Sequence, residues 1–522
     1  MREESFRSRY FIKIGSSIII ALLNMVIQVL LPRSLSVEEY GYYSYNLNVF
    51  SSIVILANLS ASNALVAKFA KRNEELGLVY FYLKFYCVEI VVLSVAVITL
   101  YSSTVVQESF AGQSMAMVCL GLETAAVLKL FSDIVSLYDA MAIAGISAIC
   151  QVILKASISM FVMITFFLRK LNLILFYAGQ IGFTLLAGIT LLFLIIKYQK
   201  KKYPRNINNG FCKYLKEYKS YCAPLVISSV ASQLLIIIMN WSLMRFSGVT
   251  EQAMFGAAWQ LNALLSYVFS PYAELSKREY SIFQDDQNKL KVFFVNSLKR
   301  MFWITTFFAC FIGFCSDWIL QLLYGGKYND AKLVTLLIMI YTIYQAWGQV
   351  CGAFMLATER TKMIAFVSII NQMLTLVLVF MFQIPNIIWP DGLGAVGIAL
   401  VYLVSNILGV LLSVTVSARD MNLNIWKVLS IQLVPLSLCA VVAWIINHII
   451  NWYIVGSGYF ILMSKILMGG TIYTFLVLGM LFIFPSQAGI TREQIKRVLI
   501  KGVVRKTSRH EQREISEQHE KE

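Results

Sequence analysis

The chain has 522 residues, 58% hydrophobic and 14% charged, with a formal net charge of +16. A soluble protein of this length would carry about 25% charged residues spread over two to four domains, so a mean hydropathy of +0.70 excludes that class and indicates a polytopic membrane protein. The nine cysteines are scattered and form no C-x-x-C pair, which leaves neither a disulfide framework nor a zinc site.

Residues 1–10 hold Arg2, Arg7 and Arg9 ahead of an apolar run over 11–31, and no small-residue cleavage site follows it. It reads as a retained first span. Thirteen further apolar runs follow, the last over 460–484, and each is long enough to cross ~30 Å of hydrocarbon. With the N-terminus inside, 33 of the 44 Lys and Arg residues fall in cytoplasmic segments, 5 in external loops and 6 within spans. That asymmetry puts both termini in the cytoplasm. The net charge then belongs to topology and to contact with anionic membrane lipids, not to a nucleic-acid partner.

The first external turn, Leu31-Pro-Arg-Ser-Leu-Ser-Val-Glu-Glu-Tyr-Gly-Tyr-Tyr-Ser44, carries Ser36 and Glu39 at capping-box spacing and would start the second helix. It recurs 212 residues later as Leu243 to Gly256, with Arg33 on Arg245, Val37 on Val249 and Glu39 on Glu251. Eight of the 35 ungapped pairs from Ile14 to Asn48 are identical, which points to a chain built twice, as secondary transporters are. Lys68, Lys71 and Arg72 mark one cytoplasmic loop, and Lys277 to Arg300 marks its counterpart in the second half. The most basic loop, Lys197 to Tyr221, joins the halves.

The expected fold is an all-α polytopic membrane protein of about fourteen transmembrane helices. Two pseudo-symmetric six-helix lobes, 1–200 and 223–427, flank a basic cytoplasmic linker at 201–222. Spans 13 and 14 occupy 428–484, and a basic cytoplasmic tail fills 485–522. Within that tail Thr491 to Val504 reads as a surface helix capped by Thr491 and Gln494, and the polar remainder reads as disordered. If the halves share one orientation, their two-fold axis runs along the membrane normal.

Enzyme signatures are missing. The three histidines are His448, His510 and His519, and there is no Walker A, H-E-x-x-H or G-x-S-x-G pattern, so no catalysis, metal or cofactor is expected. Asp285-Asp286 reads as a solvated loop. The informative residues are polar ones inside spans. Lys13, Lys84, Glu89, Glu274 and Lys465 lie near span ends and can snorkel. Glu123 and Lys129 in span 4 and Lys155 in span 5 lie deeper, where an unpaired charge costs several kcal/mol. Two readings are open. One is structural: a Lys129–Asp133 pair at i,i+4 or a Glu123–Lys155 bridge. The other is a hydrated cationic cavity, with Glu123 as the candidate for ion coupling. Asn24, Gln28, Asn48, Ser229, Gln233, Asn240 and Gln260 suit either helix–helix hydrogen bonding or a polar path. Arg33 and Arg245 sit at the outer ends of spans 1 and 7.

These residues resemble those of a known family. The basic start and the Leu31–Ser44 turn look like those of polysaccharide transporter (Wzx-type) oligosaccharide flippases, whose superfamily also holds MATE drug exporters and lipid II flippases. Tyr324-Gly-Gly-Lys-Tyr-Asn-Asp-Ala331 resembles the family's turn before span 10. Leu356-Ala-Thr-Glu-Arg-Thr-Lys362 resembles the turn before span 11, and Gly392-Leu-Gly-Ala-Val-Gly-Ile-Ala399 the entry into span 12. The resemblance implies two lobes around a cavity that opens to each side in turn, in a bacterial cytoplasmic membrane. It implies transfer of an undecaprenyl-pyrophosphate-linked oligosaccharide to the outer leaflet by a monomer working beside a glycan polymerase and other assembly proteins. A pyrophosphate cargo needs cationic compensation in a low-dielectric path, which makes Lys129, Lys155, Arg33, Arg245, Asn24, Gln28 and Asn240 the cavity candidates. The alternatives are a MATE-like exporter, a lipid II-type flippase and a membrane glycan polymerase. The exporter would prefer acidic cavity residues, and the polymerase would want a large external loop that this chain does not have.

Overall fold

The computed structural model describes residues 6–483 and 489, apart from 73, 142, 203–209, 359, 391 and 457. The helix expected at Thr491 to Val504 lies outside the described residues, as do the side chains of Lys13 and Glu274. In chain order the helices are α1 (Phe6–Ser34), α2 (Val37–Ala57), α3 (Ala61–Lys71), α4 (Leu76–Leu100), α5 (Thr104–Ser109), α6 (Met115–Ala140), α7 (Ala144–Phe167), α8 (Leu173–Lys202), α9 (Phe211–Ser247), α10 (Val249–Ile282), α11 (Gln287–Phe314), α12 (Ser316–Tyr324), α13 (Lys332–Ala357), α14 (Thr361–Gln383), α15 (Gly394–Asp420), α16 (Ile425–Leu429), α17 (Leu433–Tyr453) and α18 (Tyr459–Ile483). Short 3-10 turns occupy Gly326–Ala331 and Ser430–Gln432. There is no strand among the described residues.

This is a polytopic membrane fold. Eleven helices are long and apolar enough to cross a membrane, and thirteen if each of two bent pairs is one span. Their outward faces expose bulky apolar side chains such as Phe460, Phe475 and Phe167, as lipid contact demands. The eighth expected span, 253–275, lies within α10, which is helical but is not counted among the apolar spans because Gln260 and Asn262 interrupt it. Of the expected linker, residues 211–222 already belong to α9.

Local chemistry explains the junctions. Ser36 caps α2, accepting from the Glu39 amide at 3.1 Å, while the Glu39 carboxylate accepts from the Ser36 amide at 3.0 Å. The expected capping box is therefore formed. Between α2 and α3 the chain bends by 58°, with Leu59 at φ 48° and Ser60 at φ 62°. Asn58 holds that break by accepting from the Ser62 amide at 3.0 Å. Asp286 is the N-cap of α11, accepting from the Lys289 amide. The three motifs of the later chain fall at helix junctions: after α12, between α13 and α14, and at the start of α15.

By proximity the helices gather into two compact units. The first holds the described parts of Met1–Pro271, Ile319–Ile338 and Ser368–Asn406. Its core packs Phe50, Leu65, Phe69, Phe81, Tyr138 and Leu191. The second holds the described parts of Tyr272–Trp318, Met339–Val367 and Ile407–Glu522. Its core is aromatic, with Phe354 against Tyr280 and Phe294, and Trp347 against Phe302.

Candidate functional site

The deep charges meet different fates. Lys129 donates to both carboxylate oxygens of Asp133, at 2.5 and 2.7 Å, from one turn earlier on α6. The Tyr82 hydroxyl of α4 donates to the same carboxylate. Asn58 donates to Tyr82 at 3.3 Å and to the buried Glu89 at 3.1 Å. Hydrogen bonds thus connect α2, α4 and α6 from one carboxylate to the other. As ionised groups, Glu89, Asp133 and Lys129 leave one carboxylate in excess. The Glu89 Oε1 atom is buried, and no hydrogen bond reaches it among the described residues. Glu89 is therefore not a snorkelling residue at a span end, as its position in sequence suggested. Burial on α4 turns it toward the α2 break.

Lys155 is half-buried on α7 and forms no ion pair among the described residues. Glu123 is exposed on α6, and no Glu123–Lys155 bridge forms among the described residues. One turn beyond Lys155, the Ser159 hydroxyl donates to the Leu23 carbonyl of α1 at 2.9 Å. Residues one turn apart share a face, so Lys155 belongs to the side of α7 that packs along α1. On α1, Asn24 donates to the Tyr267 hydroxyl of α10 at 2.9 Å. The Gln28 Oε1 is buried and receives no hydrogen bond among the described residues. Asn24, Gln28 and Lys155 are thus carried by two packed helices, whereas Lys129 is committed to Asp133. Tyr267 had no signal in the sequence beyond being a tyrosine in a polar span.

The remaining candidates sit at or near the two copies of the repeated turn. Arg33 donates from Nε to the Leu323 carbonyl at 2.6 Å and from its other nitrogen to the Leu322 carbonyl, closing the C-terminal end of α12. Lys327 reaches back to the carbonyls of Arg33 and Leu35 at 3.2 and 2.9 Å. Arg245 instead pairs with Glu108 at 2.7 Å on an open surface. Asn240 is a junction: its Oδ1 accepts from Asn48 at 3.2 Å and from Gln252 at 3.1 Å, and its Nδ2 donates to the Ile236 carbonyl at 2.9 Å. Ser44 and Gly256, equivalent under the 212-residue offset, touch one another. A Cβ on Gly256 would stand 2.5 Å from the Ser44 Oγ.

In the second unit, α11 and α18 form a largely apolar cleft of about 860 Å3 lined by Phe307, Phe308, Phe311, Leu467 and Phe475. Lys465 on α18 is buried, not snorkelling. It donates to the Asn451 Oδ1 at 3.0 Å, which also accepts from the Trp318 indole at 2.8 Å. No group of three His, Cys, Asp or Glu side chains suited to a metal occurs among the described residues.

A bundle of this helix order is a polytopic helical membrane fold. No family model matches the sequence, and no curated protein matches it. Solved structures do match. The lipid II flippase MurJ in an inward closed conformation superposes with a TM-score of 0.65 at 16% identity, over 91% of this chain and 98% of MurJ. An inward-facing multidrug resistance MATE family transporter of the MOP superfamily gives 0.62 at 12% identity, over 79% and 99%. An outward-facing MATE transporter of that superfamily gives 0.54 at 13%, over 78% and 95%. The chain has the fold of these transporters.

Proposed function

We propose that the protein is a flippase that moves a pyrophosphate-linked oligosaccharide lipid from the inner to the outer leaflet of a bacterial cytoplasmic membrane by alternating access. Its termini lie in the cytoplasm. In this reading six membrane-spanning helices form each lobe, and α17 and α18 are additional. The observation that carries the reading is Lys155, a deep half-buried cation with no anionic partner among the described residues. Such a charge is costly unless it faces water or an anion. The apolar cleft of α11 and α18 suits a polyprenyl chain that stays in the hydrocarbon.

Lys155→Ala should abolish most surface glycan display at normal protein abundance, and Lys155→Arg should keep more of it. Lys129→Ala should instead lower abundance, because Asp133 would lose its partner. A cysteine at position 155 should react with a water-soluble maleimide. Full display by Lys155→Ala, with no labelling, would remove the cavity assignment.

A second reading, a MATE-like exporter, is favoured by the excess carboxylate at Glu89 and Asp133. Loss of the gene separates the cargoes. Accumulated lipid-linked oligosaccharide supports the first reading, accumulated lipid II the peptidoglycan variant, and drug sensitivity alone the exporter. Under the first reading, ion coupling falls to the Glu89 cluster before Glu123. Glu89→Gln should uncouple display from the gradient more than Glu123→Gln does.

A further inference from the structure

Within the first unit, one helix holds both arms of a bent span. α2 and α3 meet at 58°, and α9 touches each of them. Toward the C-terminal end of α9, the Asn240 Oδ1 accepts from Asn48 of α2 at 3.2 Å. In its second turn, Glu217 accepts at 2.5 Å from Arg72, the C-cap of α3. Lys68 of α3 stands 3.5 Å from the same carboxylate oxygen.

The second contact is balanced in charge. Arg72 also lies 3.4 Å from the buried Glu75, so two cations meet two carboxylates. Tyr214 and Tyr218, one turn apart on α9, are buried beneath them. Their hydroxyls donate to the Glu75 carboxylate at 3.5 Å and to the Leu78 carbonyl at 3.4 Å. Phe81 of α4 packs on the rings of Phe211 and Tyr218 at 4.9 and 4.8 Å. Lys213, Lys216 and Lys219 are exposed. The start of α9 is thus docked on the α3–α4 junction by half-exposed ion pairs over an aromatic seat. Pairs of that kind are weak enough to part and reform.

The bend between the two arms has the marks of a hinge. Leu59 and Ser60 sit at φ 48° and 62°, a left-handed conformation that is disfavoured for residues with a Cβ. Asn58 holds it from the side, accepting from the Ser62 amide and donating to Tyr82 and Glu89 of α4. Straightening the bend would relieve both residues and swing α3 relative to α2. α9 is bonded to both arms, so it cannot follow both.

We propose that Lys68, Arg72 and Glu217 form a releasable latch between the α2–α3 span and the start of α9, with Leu59 and Ser60 as the hinge that opens it. α9 carries the second copy of the repeated stretch, so release frees that copy from the first at this end. The device rests on the transporter reading for its purpose, not for its existence.

Hydrogen–deuterium exchange of the full chain in lipid nanodiscs, read on peptides over 68–76 and 211–222, tests this. Glu217→Arg should speed exchange of both peptides by roughly tenfold, for two lost half-exposed pairs. Adding Arg72→Glu keeps two cations against two carboxylates and should return exchange toward the wild-type rate. Ser60→Gly should slow both peptides severalfold, because glycine accepts the left-handed conformation and weakens a straight helix. That variant leaves the latch residues intact and gives a readout should the charge reversal fail to fold. Unchanged exchange in Glu217→Arg would overturn the latch, as would a rise spread over all helices, which marks a stability residue. Unchanged exchange in Ser60→Gly would overturn the hinge. None of these rates depends on the transported molecule, so failure of the flippase assignment would leave them as they are.

Discussion

At the turn from α1 into α2, Glu39 closes on Ser36 and caps its own helix. At the turn from α9 into α10, the equivalent Glu251 reaches away and accepts from the Ala395 amide at 2.7 Å, in the first turn of α15. The difference follows from one substitution. Ser36 corresponds to Gly248, which has no hydroxyl to complete a box, so the second carboxylate is available to another helix N-terminus, where a negative charge is favoured. Gly394, at φ +55°, leaves the space, since a Cβ there would stand 2.6 Å from the Glu251 carboxylate. The arginines diverge in the same way. Arg33 closes the carbonyl end of α12, and Arg245 makes an open ion pair with Glu108. A repeat keeps a residue's position in its own helix, but its contact depends on what packs beside it.

The largest expected effect separates the two glutamates. Glu251→Ala removes a charge-assisted bond and leaves the Ala395 amide unsatisfied, for about 2–3 kcal/mol. Glu39→Ala should cost about 1 kcal/mol as a lost cap. Thermal unfolding of the purified protein reads both, and equal losses would mean that Glu251 is only a cap. Next comes the contact of Ser44 with Gly256. Gly256→Ser should destabilise by about 1–3 kcal/mol through overpacking, and adding Ser44→Gly should restore most of it. Failure of the exchange to restore stability would mean that the crowding at Gly256 does not come from Ser44.

The arginines come third. Arg33→Ala loses two carbonyl contacts, for about 1–2 kcal/mol, whereas Arg245→Ala loses an exposed pair worth less than about 1 kcal/mol. Reversed magnitudes in the same unfolding measurement would overturn the assignment.

The smallest effect belongs to a pair away from both turns. The Arg72 guanidinium hydrogen-bonds Glu217 at 2.5 Å and holds its carboxyl below the usual carboxylate range. A depressed folded value means that the stabilisation is present at neutral pH. It fades once pH drops below the ordinary value of 4.5 and through the lower folded one. Glu217→Gln should therefore flatten the acid limb of the stability curve and leave neutral stability within about 1 kcal/mol.

Several of these features are legible in the sequence. The Ser36–Glu39 box and the Lys129–Asp133 pair span three and four residues, a separation that helix geometry alone brings into contact. Span positions follow from hydropathy, and only α10 is too polar to be counted. The Glu123–Lys155 bridge is a reasonable pairing between neighbouring spans, yet sequence carries no information on helix rotation. Glu89 and Lys465 lie near span ends by counting, and packing buries both.

By itself the sequence determined the cap of α2 and the positions of most apolar helices, because those depend on local groups and local hydropathy, but not the bends of 58° and 75° that break the expected spans 43–67 and 301–324. It also determined that the chain lives in a membrane, because backbone groups in hydrocarbon must be satisfied within each helix. Tertiary structure alone decided that Glu251 serves α15, that Arg33 closes α12 and that Asn58 joins Tyr82 to Glu89. It also decided that Lys68 and Arg72 at the end of α3 meet Glu217 of α9. Each of these contacts joins helices distant along the chain, and the rotation and depth of those helices are set by packing, which no local pattern encodes.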